Sequence, residues 1–243
     1  MTNLIVMTRL SVNINKIATL RNSRGGNIPS VKDAAINCQN YGAQGITVHP
    51  RPDERHITRK DVYEIKPLIY TEFNIEGYPS DEFLNMVIEV RADQVTLVPD
   101  KHDQLTSDHG WDTWGNLSFL KDVVARLKEN GIRTSVFMDP DPDMIEGAAE
   151  TGTDRIELYT ESYARLYPIG RDKAIESFVK AAKIAGDAGL GVNAGHDLNL
   201  ENLNYLYKLI PNLEEVSIGH ALISDAIYMG LENTIRKYLD CLK

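Results

Sequence analysis

Cysteine is scarce in this chain of 243 residues, which has only two, and aromatic residues make up 7% of it. Cys38 and Cys241 lie far apart in a chain without a recognisable export signal, so we expect both to be reduced thiols. No apolar run approaches the roughly 18 residues of a membrane-spanning helix, and the mean hydropathy is negative. A chain of this length needs neither disulfides nor metals to bury a sizeable core.

Basic residues are also in the minority, with 26 Lys and Arg against 35 Asp and Glu and a net charge of -9. This balance excludes the broad basic face of a general nucleic-acid binder. Anionic small molecules are still allowed, because a few clustered arginines and helix N-termini can hold a phosphate. Residues 1–9 lack the order of a secretory signal, which predicts a cytoplasmic protein.

Short β-branched runs alternate with longer amphipathic stretches along the whole chain, a pattern typical of repeated strand-helix units. We predict eight strands: Leu10 to Ile14, Gly45 to Val48, Glu72 to Ile75, Gln94 to Val98, Thr134 to Met138, Arg155 to Leu158, Gly191 to Ala194, and Glu215 to Ile218.

Capping residues separate these units. Ser30, Thr58 and Ser80 precede helical patterns, and several such patterns end on a glycine suited to the left-handed cap position: Gly42, Gly131, Gly152 and Gly189. Eight units of about 30 residues predict a (β/α)₈ barrel formed as one domain by residues 1–243. The alternative is an open doubly wound sheet, which normally has a glycine-rich turn after its first strand. That position reads Ile14-Asn15-Lys16-Ile17.

Two longer connections interrupt the pattern. Residues 19–29 and the polar stretch 100–116 are predicted to be irregular, and both would lie on the active face of a barrel. The second is a lid over the site, a mobile surface excursion, or an oligomer contact in which Trp111 and Trp114 are buried against a neighbouring subunit.

Polar residues recur at the carboxyl ends of the predicted strands, where barrel enzymes build their sites. They are Asn13, His49, Glu76, Glu157, His196 and the pair Gly219-His220. Each of them alone is more often a structural or solvated residue. Their convergence on one barrel mouth favours an active site.

Several residues suit phosphate binding. Arg51, Arg55 and His56 follow His49 in one loop, although Arg55 is equally suited to pair with a nearby acid. Arg24 precedes two glycines that allow a ligand to approach the backbone. A helix that begins after Gly219 would present its amides to an anion. No local metal-ligand spacing occurs, so we predict no metal.

Motifs in order along nearly the whole chain support a family assignment. They are Val12-Asn13-Ile14, residues 17–25, residues 49–57, Asn74-Ile75-Glu76, Leu97-Val98-Pro99, Val192-Asn193-Ala194-Gly195-His196, and Ile218-Gly219-His220-Ala221. The chain resembles the pyridoxine 5'-phosphate synthase family of deoxyxylulose-dependent vitamin B6 biosynthesis. This resemblance implies a (β/α)₈ barrel that condenses 3-amino-2-oxopropyl phosphate with 1-deoxy-D-xylulose 5-phosphate by acid-base catalysis without a cofactor.

The resemblance also assigns roles by position. It implies His49 and Glu76 as proton acceptors, His196 as proton donor and Glu157 as the residue that stabilises a transition state. Deoxyxylulose phosphate would contact Asn15, Lys16, Arg51, His56 and Thr106, and the amino ketone phosphate would contact Asn13, Arg24, Gly219 and His220. Asp197 is a further substrate-binding position. Asn15-Lys16 stands where many members of the family have Asp-His. Asp197 replaces a common glycine, so we expect Asp197 to contact the ligand through its backbone amide.

The resemblance further implies a homo-octamer built from dimers. Two rival functions are a different phosphate-handling barrel, such as an aldolase or isomerase, and a binding or scaffold barrel without catalysis. A strand lysine would indicate Schiff-base chemistry, and none of the predicted strands contains one. His49, Glu76, Glu157 and His196 together argue against a scaffold.

Overall fold

The computed structural model describes residues 7–100 and 107–243. Its strands form one closed parallel barrel in chain order, in which β8 pairs with β1 and aligns Ile218 with Val12. The strands are β1 (Arg9–Asn13), β2 (Gly45–Val48), β3 (Glu72–Gly77), β4 (Gln94–Leu97), β5 (Arg133–Met138), β6 (Arg155–Tyr159), β7 (Gly191–Gly195) and β8 (Leu213–Ile218). The closure confirms the predicted (β/α)₈ barrel over the open sheet.

Helices surround the barrel. They are α1 (Asn15–Asn22), α2 (Val31–Asn40), α3 (Arg59–Ile65), α4 (Asp81–Glu89), α5 (Leu117–Glu129), α6 (Pro142–Glu150), α7 (Glu161–Asp187), α8 (Leu203–Leu209), α9 (His220–Met229) and α10 (Leu231–Asp240). A short 3₁₀ turn, Lys66–Leu68, follows α3. Gly170 kinks α7 shortly after Pro168. Among the described residues, no helix combines the length and apolar character that crossing a bilayer requires.

The predicted caps are present. The Ser30 and Ser80 side chains accept hydrogen bonds from backbone amides of the first turns of α2 and α4, and Thr58 forms a reciprocal capping box with Asp61 at α3. The predicted cap glycines all have positive φ angles: Gly42, Gly131, Gly152 and Gly189. Local sequence therefore determines where these helices begin and end.

The predicted strands are confirmed in place, and all of them except the second differ from the prediction by one or two residues at one or both ends. The prediction was wrong to end the third strand at Ile75, because the ladder with β4 continues through Glu76 and Gly77. It was also wrong to include Ile14 in the first strand, since this residue caps α1. Pairing with the neighbouring element decides both boundaries, and periodicity in a single segment does not contain that information.

Residues 19–29 are less irregular than predicted, because α1 continues to Asn22. The Arg21 guanidinium is buried and forms a bidentate pair with Asp61, with Nη1 2.5 Å from Oδ1 and Nη2 2.8 Å from Oδ2. Thr19 Oγ1 also donates to the Asn15 carbonyl, 3.1 Å away. A long-range ion pair therefore stabilises the last turn of this helix.

Part of the 100–116 connection is packed onto the barrel. Trp111 is buried within its own chain and donates its indole N–H to the Leu97 carbonyl at 3.0 Å. The Trp114 indole N–H donates to the Asp143 carbonyl at 2.8 Å. The alternative that Trp111 is buried by a neighbouring subunit is therefore wrong.

The strands alternate between apolar outward residues and polar inward residues. Leu10 and Val12 of β1 are fully buried in the hydrophobic core between barrel and helices. On the inward face of the same strand, Ser11 Oγ lies 2.7 Å from Thr47 Oγ1. Gln94 on β4 reaches across the interior to Glu215 on β8, with 3.4 Å between Nε2 and Oε1. The interior is thus a polar network, whereas most such barrels fill it with branched aliphatic residues.

Candidate active site

The carboxyl ends of the first three strands bring together an amide, an imidazole and a carboxyl group. Asn13 Nδ2 donates to Glu76 Oε2 at 3.3 Å, and His49 Nδ1 lies 3.8 Å from the same oxygen. Asn15 Oδ1 accepts the backbone N–H of His49 at 2.9 Å, while the Asn15 N–H donates to Asn13 Oδ1 at 3.0 Å. These contacts hold the loops after β1 and β2 in a fixed relation to Glu76.

Glu157 on β6 supplies a second buried carboxyl group. Thr96 Oγ1 donates to its Oε2 at 3.3 Å. A Cβ atom at Gly195, on the neighbouring strand β7, would lie 2.4 Å from Oε1, so only glycine leaves room for this side chain. The Thr96 hydroxyl and the space left at Gly195 therefore hold Glu157 in the polar interior of the barrel.

Both carboxyl groups bind protons unusually tightly. Burial raises the pKa of Glu76 to about 8, and the negative charge of Asp100 adds to this effect, while Ser217 and Arg51 oppose it. Burial also raises the pKa of Glu157 to about 8, with a further contribution from the charge of Glu76. The pair can accept and release protons near neutral pH.

The two histidines of the loop after β2 show the opposite effect. Burial lowers the pKa of His49 well below its usual value, and the positive charge of Arg51 lowers it further. Burial and the same arginine lower the pKa of His56 to about 4. Both imidazoles are therefore neutral near pH 7, and a neutral imidazole can accept a proton.

Arg51 is buried, and its guanidinium contacts the carboxylate of Asp100. Asp100 Oδ2 also accepts a hydrogen bond from Ser107 Oγ at 2.9 Å. Sequence reasoning missed Asp100 as a partner, although its place just after β4 was a usable signal. Arg55 pairs with Asp53 at 2.6 Å. This confirms the interpretation of Arg55 as the partner of a nearby acid.

The last two strands contribute a histidine and a helix N-terminus. His196 Nδ1 lies 2.6 Å from Asp197 Oδ2, and the Asp197 backbone N–H donates to Thr160 Oγ1 at 3.3 Å. Helix α9 begins at His220, as predicted, directly after Gly219. A Cβ atom at Gly219 would lie 3.1 Å from Asn13 side-chain atoms, so this backbone closely approaches the first strand.

These elements surround a cavity of about 600 Å³. The predicted site residues that line it are Asn13, Asn15, Lys16, His49, Arg51, His56, Glu76, Glu157, His196, Asp197, Gly219 and His220. Arg24 is exposed and is not among the lining residues. Thr106 lies outside the described residues. Sequence reasoning missed Ser217, whose inward position on β8 was the signal that could have found it.

Within residues 7–100 and 107–243, no three His, Cys, Asp or Glu side chains form a group suited to a metal ion. The described strands contain no lysine. The chemistry that the cavity offers is proton transfer between buried side chains, beside an arginine and a helix N-terminus that suit phosphate. Fold and site together define an acid-base enzyme of the (β/α)₈ barrel class.

The chain belongs to the family described as pyridoxal phosphate biosynthesis protein PdxJ, whose model matches residues 10–243. A relative from Bacteroides thetaiotaomicron, named pyridoxine 5'-phosphate synthase, is 61% identical over 237 residues, which cover 98% of this chain and 100% of the relative. A protein of the same name from Cytophaga hutchinsonii is 58% identical over the same shares of the two chains.

Solved structures with low sequence identity share the fold. The 3-keto-L-gulonate-6-phosphate decarboxylase from Vibrio cholerae superposes with a TM-score of 0.65 at 10% identity, covering 97% of each chain. Phosphoribosyl anthranilate isomerase from Thermotoga maritima superposes with a TM-score of 0.60 at 12% identity, covering 97% of this chain and 98% of its own. At these identities the likeness concerns the barrel alone.

Proposed function

We propose that this chain is a pyridoxine 5'-phosphate synthase, which condenses 3-amino-2-oxopropyl phosphate with 1-deoxy-D-xylulose 5-phosphate. The products are pyridoxine 5'-phosphate, inorganic phosphate and water. The observation that carries the proposal is the convergence of His49, Glu76, Glu157 and His196 on one cavity. The names of the full-length relatives support the same reaction.

His49 and Glu76 act as the proton acceptors in this proposal. A carboxyl group with a pKa of about 8 is a stronger base in its ionised form than an ordinary glutamate, and this suits proton abstraction near neutral pH. The His49 imidazole is neutral, and its Nδ1 lies 3.8 Å from Glu76 Oε2. The two groups can therefore serve the same region of the cavity.

His196 donates a proton to a leaving oxygen, and Glu157 stabilises charge that develops in a transition state. Glu157 is almost fully buried. A charge in such a low-dielectric position interacts strongly with its neighbours, because little solvent screens it. Condensation, loss of phosphate and ring closure all move protons, so side-chain acids and bases account for the chemistry without a cofactor.

The two phosphorylated substrates contact different sets of residues in this proposal. Deoxyxylulose phosphate contacts Asn15 and Lys16 after β1, Arg51 and His56 after β2, and Thr106, which lies outside the described residues. The amino ketone phosphate contacts Asn13, Arg24, Gly219 and His220, where the N-terminus of α9 favours an anion. A substrate that binds the Asp197 backbone N–H must compete with Thr160 Oγ1, which accepts it at 3.3 Å. A phosphate that binds Arg51 must compete with Asp100 for its guanidinium.

The proposal extends to assembly and location: a cytoplasmic homo-octamer built from dimers. Large apolar side chains that are exposed on the single chain support self-association, among them Ile28, Ile227 and Tyr228. Light scattering of the purified protein tests the assembly size, and a monomer at assay concentration contradicts it.

The decisive experiment incubates the purified protein with both substrates and measures pyridoxine 5'-phosphate together with released phosphate. Equal amounts of the two products are expected, and each substrate alone should give neither. An aldolase or isomerase would instead consume one substrate alone, and a scaffold would consume neither. The activity should survive exhaustive chelation, because proton transfer needs no metal; loss of activity that one divalent metal restores would contradict this.

A further inference from the structure

Asp197 places a carboxylate directly against the imidazole of the neighbouring His196. The distance between Asp197 Oδ2 and His196 Nδ1 is 2.6 Å, which is that of a strong hydrogen bond. Across residues 7–100 and 107–243, His196 is the sole ion-pair partner of the Asp197 carboxylate. The side chains are 29% and 38% exposed for His196 and Asp197, respectively, so the pair lies at the cavity wall.

The backbone around this pair is held from two sides. Thr160 is fully buried, and its Oγ1 donates to the Gly195 carbonyl at 2.8 Å and accepts the Asp197 N–H at 3.3 Å. Asn202 Nδ2 donates to the Asp197 carbonyl at 3.3 Å. These bonds fix a turn in which His196 has a φ of 93°, a left-handed value that is uncommon outside glycine.

The imidazole also contacts an aromatic ring. The Tyr159 and His196 ring centroids lie 5.0 Å apart with an interplanar angle of 84°, which is an edge-to-face arrangement. Tyr159 is itself buried at the end of β6. The carboxylate and the tyrosine together leave His196 little freedom to rotate about its side-chain bonds.

We propose that Asp197 is a positioning residue that holds His196 in one orientation and one tautomer. An ionised carboxylate can only accept a hydrogen bond, so His196 Nδ1 must carry the hydrogen that it receives. The other nitrogen, Nε2, is then the atom that gains and loses the catalytic proton. This role rests on the proposed function, in which His196 is the proton donor.

The test combines the ionisation chemistry of the free protein with its kinetics. Histidine labelled with ¹⁵N at Nδ1 is incorporated into the wild type, Asp197→Ala, Asp197→Asn and the control Asp122→Ala. Asp122 is an exposed residue of α5, outside the cavity lining. Solid-state NMR at about pH 8.5, where an ordinary histidine is neutral, reports whether Nδ1 carries hydrogen. His196→Gln assigns the signal.

In the wild type, the His196 Nδ1 signal should be that of a protonated nitrogen, and Asp197→Ala should move it toward the unprotonated position. The His109 signal is an internal reference, because its Nδ1 pairs with Asp108 at a separate place. Both Asp197 variants should lower kcat by about 10- to 100-fold and change KM by less than about 3-fold. Asp122→Ala should change neither the signal nor kcat.

Three results would overturn the proposal: an Nδ1 signal that is unchanged in Asp197→Ala, a kcat that stays within about 2-fold of wild type in both variants, or a rise in KM with an unchanged kcat. The last result would make the side chain of Asp197 a substrate contact. Asp197→Asn keeps the size of the side chain, so its kcat remains informative if Asp197→Ala folds poorly. If the wild type forms no pyridoxine 5'-phosphate, the proposed function fails. The Nδ1 signal alone then shows whether Asp197 holds the hydrogen on His196 Nδ1.

Discussion

Glu72 and Glu76 lie on the same strand and the same face, four residues apart, yet their surroundings shift their pKa values in opposite directions. Glu72 lies at the amino-terminal floor of the barrel, where Arg9 and Arg133 approach it to 2.7 Å and 2.5 Å. Burial alone would raise its pKa, but a hydrogen bond with Glu215 and the charges of Arg133 and Arg9 lower it overall.

Glu76 lies at the mouth, where an amide and an imidazole are its close partners and the nearby Asp100 is negative. Its pKa is therefore raised to about 8. The comparison shows that the charges beside a buried glutamate decide the direction in which its pKa shifts. At the floor, two arginines hold the pKa of Glu72 down, although burial and the charge of Glu72 raise the pKa of the neighbouring Glu215. At the mouth, Glu76 has no such pair among the described residues and keeps an exchangeable proton near neutral pH.

The largest effect is expected from Glu76→Gln. The amide preserves the shape of the side chain but cannot take up a proton, so kcat should fall by about 10²- to 10⁴-fold with little change in KM. Steady-state kinetics with both substrates measures this. A kcat within about 2-fold of wild type would remove Glu76 from the mechanism. Glu76 and Glu72 would then not differ in their contribution to catalysis.

Glu72→Gln should act on stability instead. The substitution leaves Arg133 and Arg9 beside a neutral partner, and breaking such a buried pair costs about 3 kcal/mol. Urea unfolding measures the loss, and the kcat of the folded variant should stay within about 3-fold of wild type. If the variant kept its stability but had a strongly reduced kcat, Glu72 would belong to the active site.

The raised pKa values of Glu76 and Glu157 should make the free energy of unfolding depend on pH. Between about pH 5 and about pH 8, folded Glu76 and Glu157 retain protons that the unfolded chain releases. Their contribution to the free energy of unfolding therefore falls as the pH rises, by at most about 1.4 kcal/mol per pH unit and per proton. Glu215 at the floor, whose pKa is also raised, contributes in the same direction. Glu72, with its lowered pKa, contributes stability at neutral pH that is lost in acid.

Urea unfolding of the wild type and Glu76→Gln across this pH window tests that assignment. The stability difference between the two should move in favour of the variant as the pH rises, because glutamine has no proton to lose. A difference that is constant from about pH 5 to about pH 8 would mean that Glu76 titrates normally in the folded protein.

The smallest effect is expected at a solvent-exposed ion pair, whose loss of stability serves as the reference for the buried glutamates. Lys32 and Glu64 lie 3.2 Å apart with side chains that are 43% and 38% exposed. Solvent screens this pair, so Lys32→Ala should change the free energy of unfolding by less than about 1 kcal/mol. A loss as large as that of Glu72→Gln would show that burial does not explain the difference.

Residues at strand ends were predictable from the sequence, because parallel strands in a barrel bring their carboxyl ends to one mouth. This holds for His49, Glu76 and His196. The partners of these residues were not predictable: Asn15 holds the His49 backbone, and Asp100 engages Arg51. Such contacts depend on how separate loops meet, and no periodicity within one loop contains that information.

What the sequence determined by itself is the set of local elements: the alternation of strands and helices, the Thr58 capping box and the glycines that end helices. Each depends on interactions within a few residues. Only the tertiary structure decided that Glu72 would meet arginines from β1 and β5, while Glu76 would meet an amide, an imidazole and the opposed charges of Asp100 and Arg51. Electrostatic environment depends on distance and burial in space, and the closure of the barrel sets both.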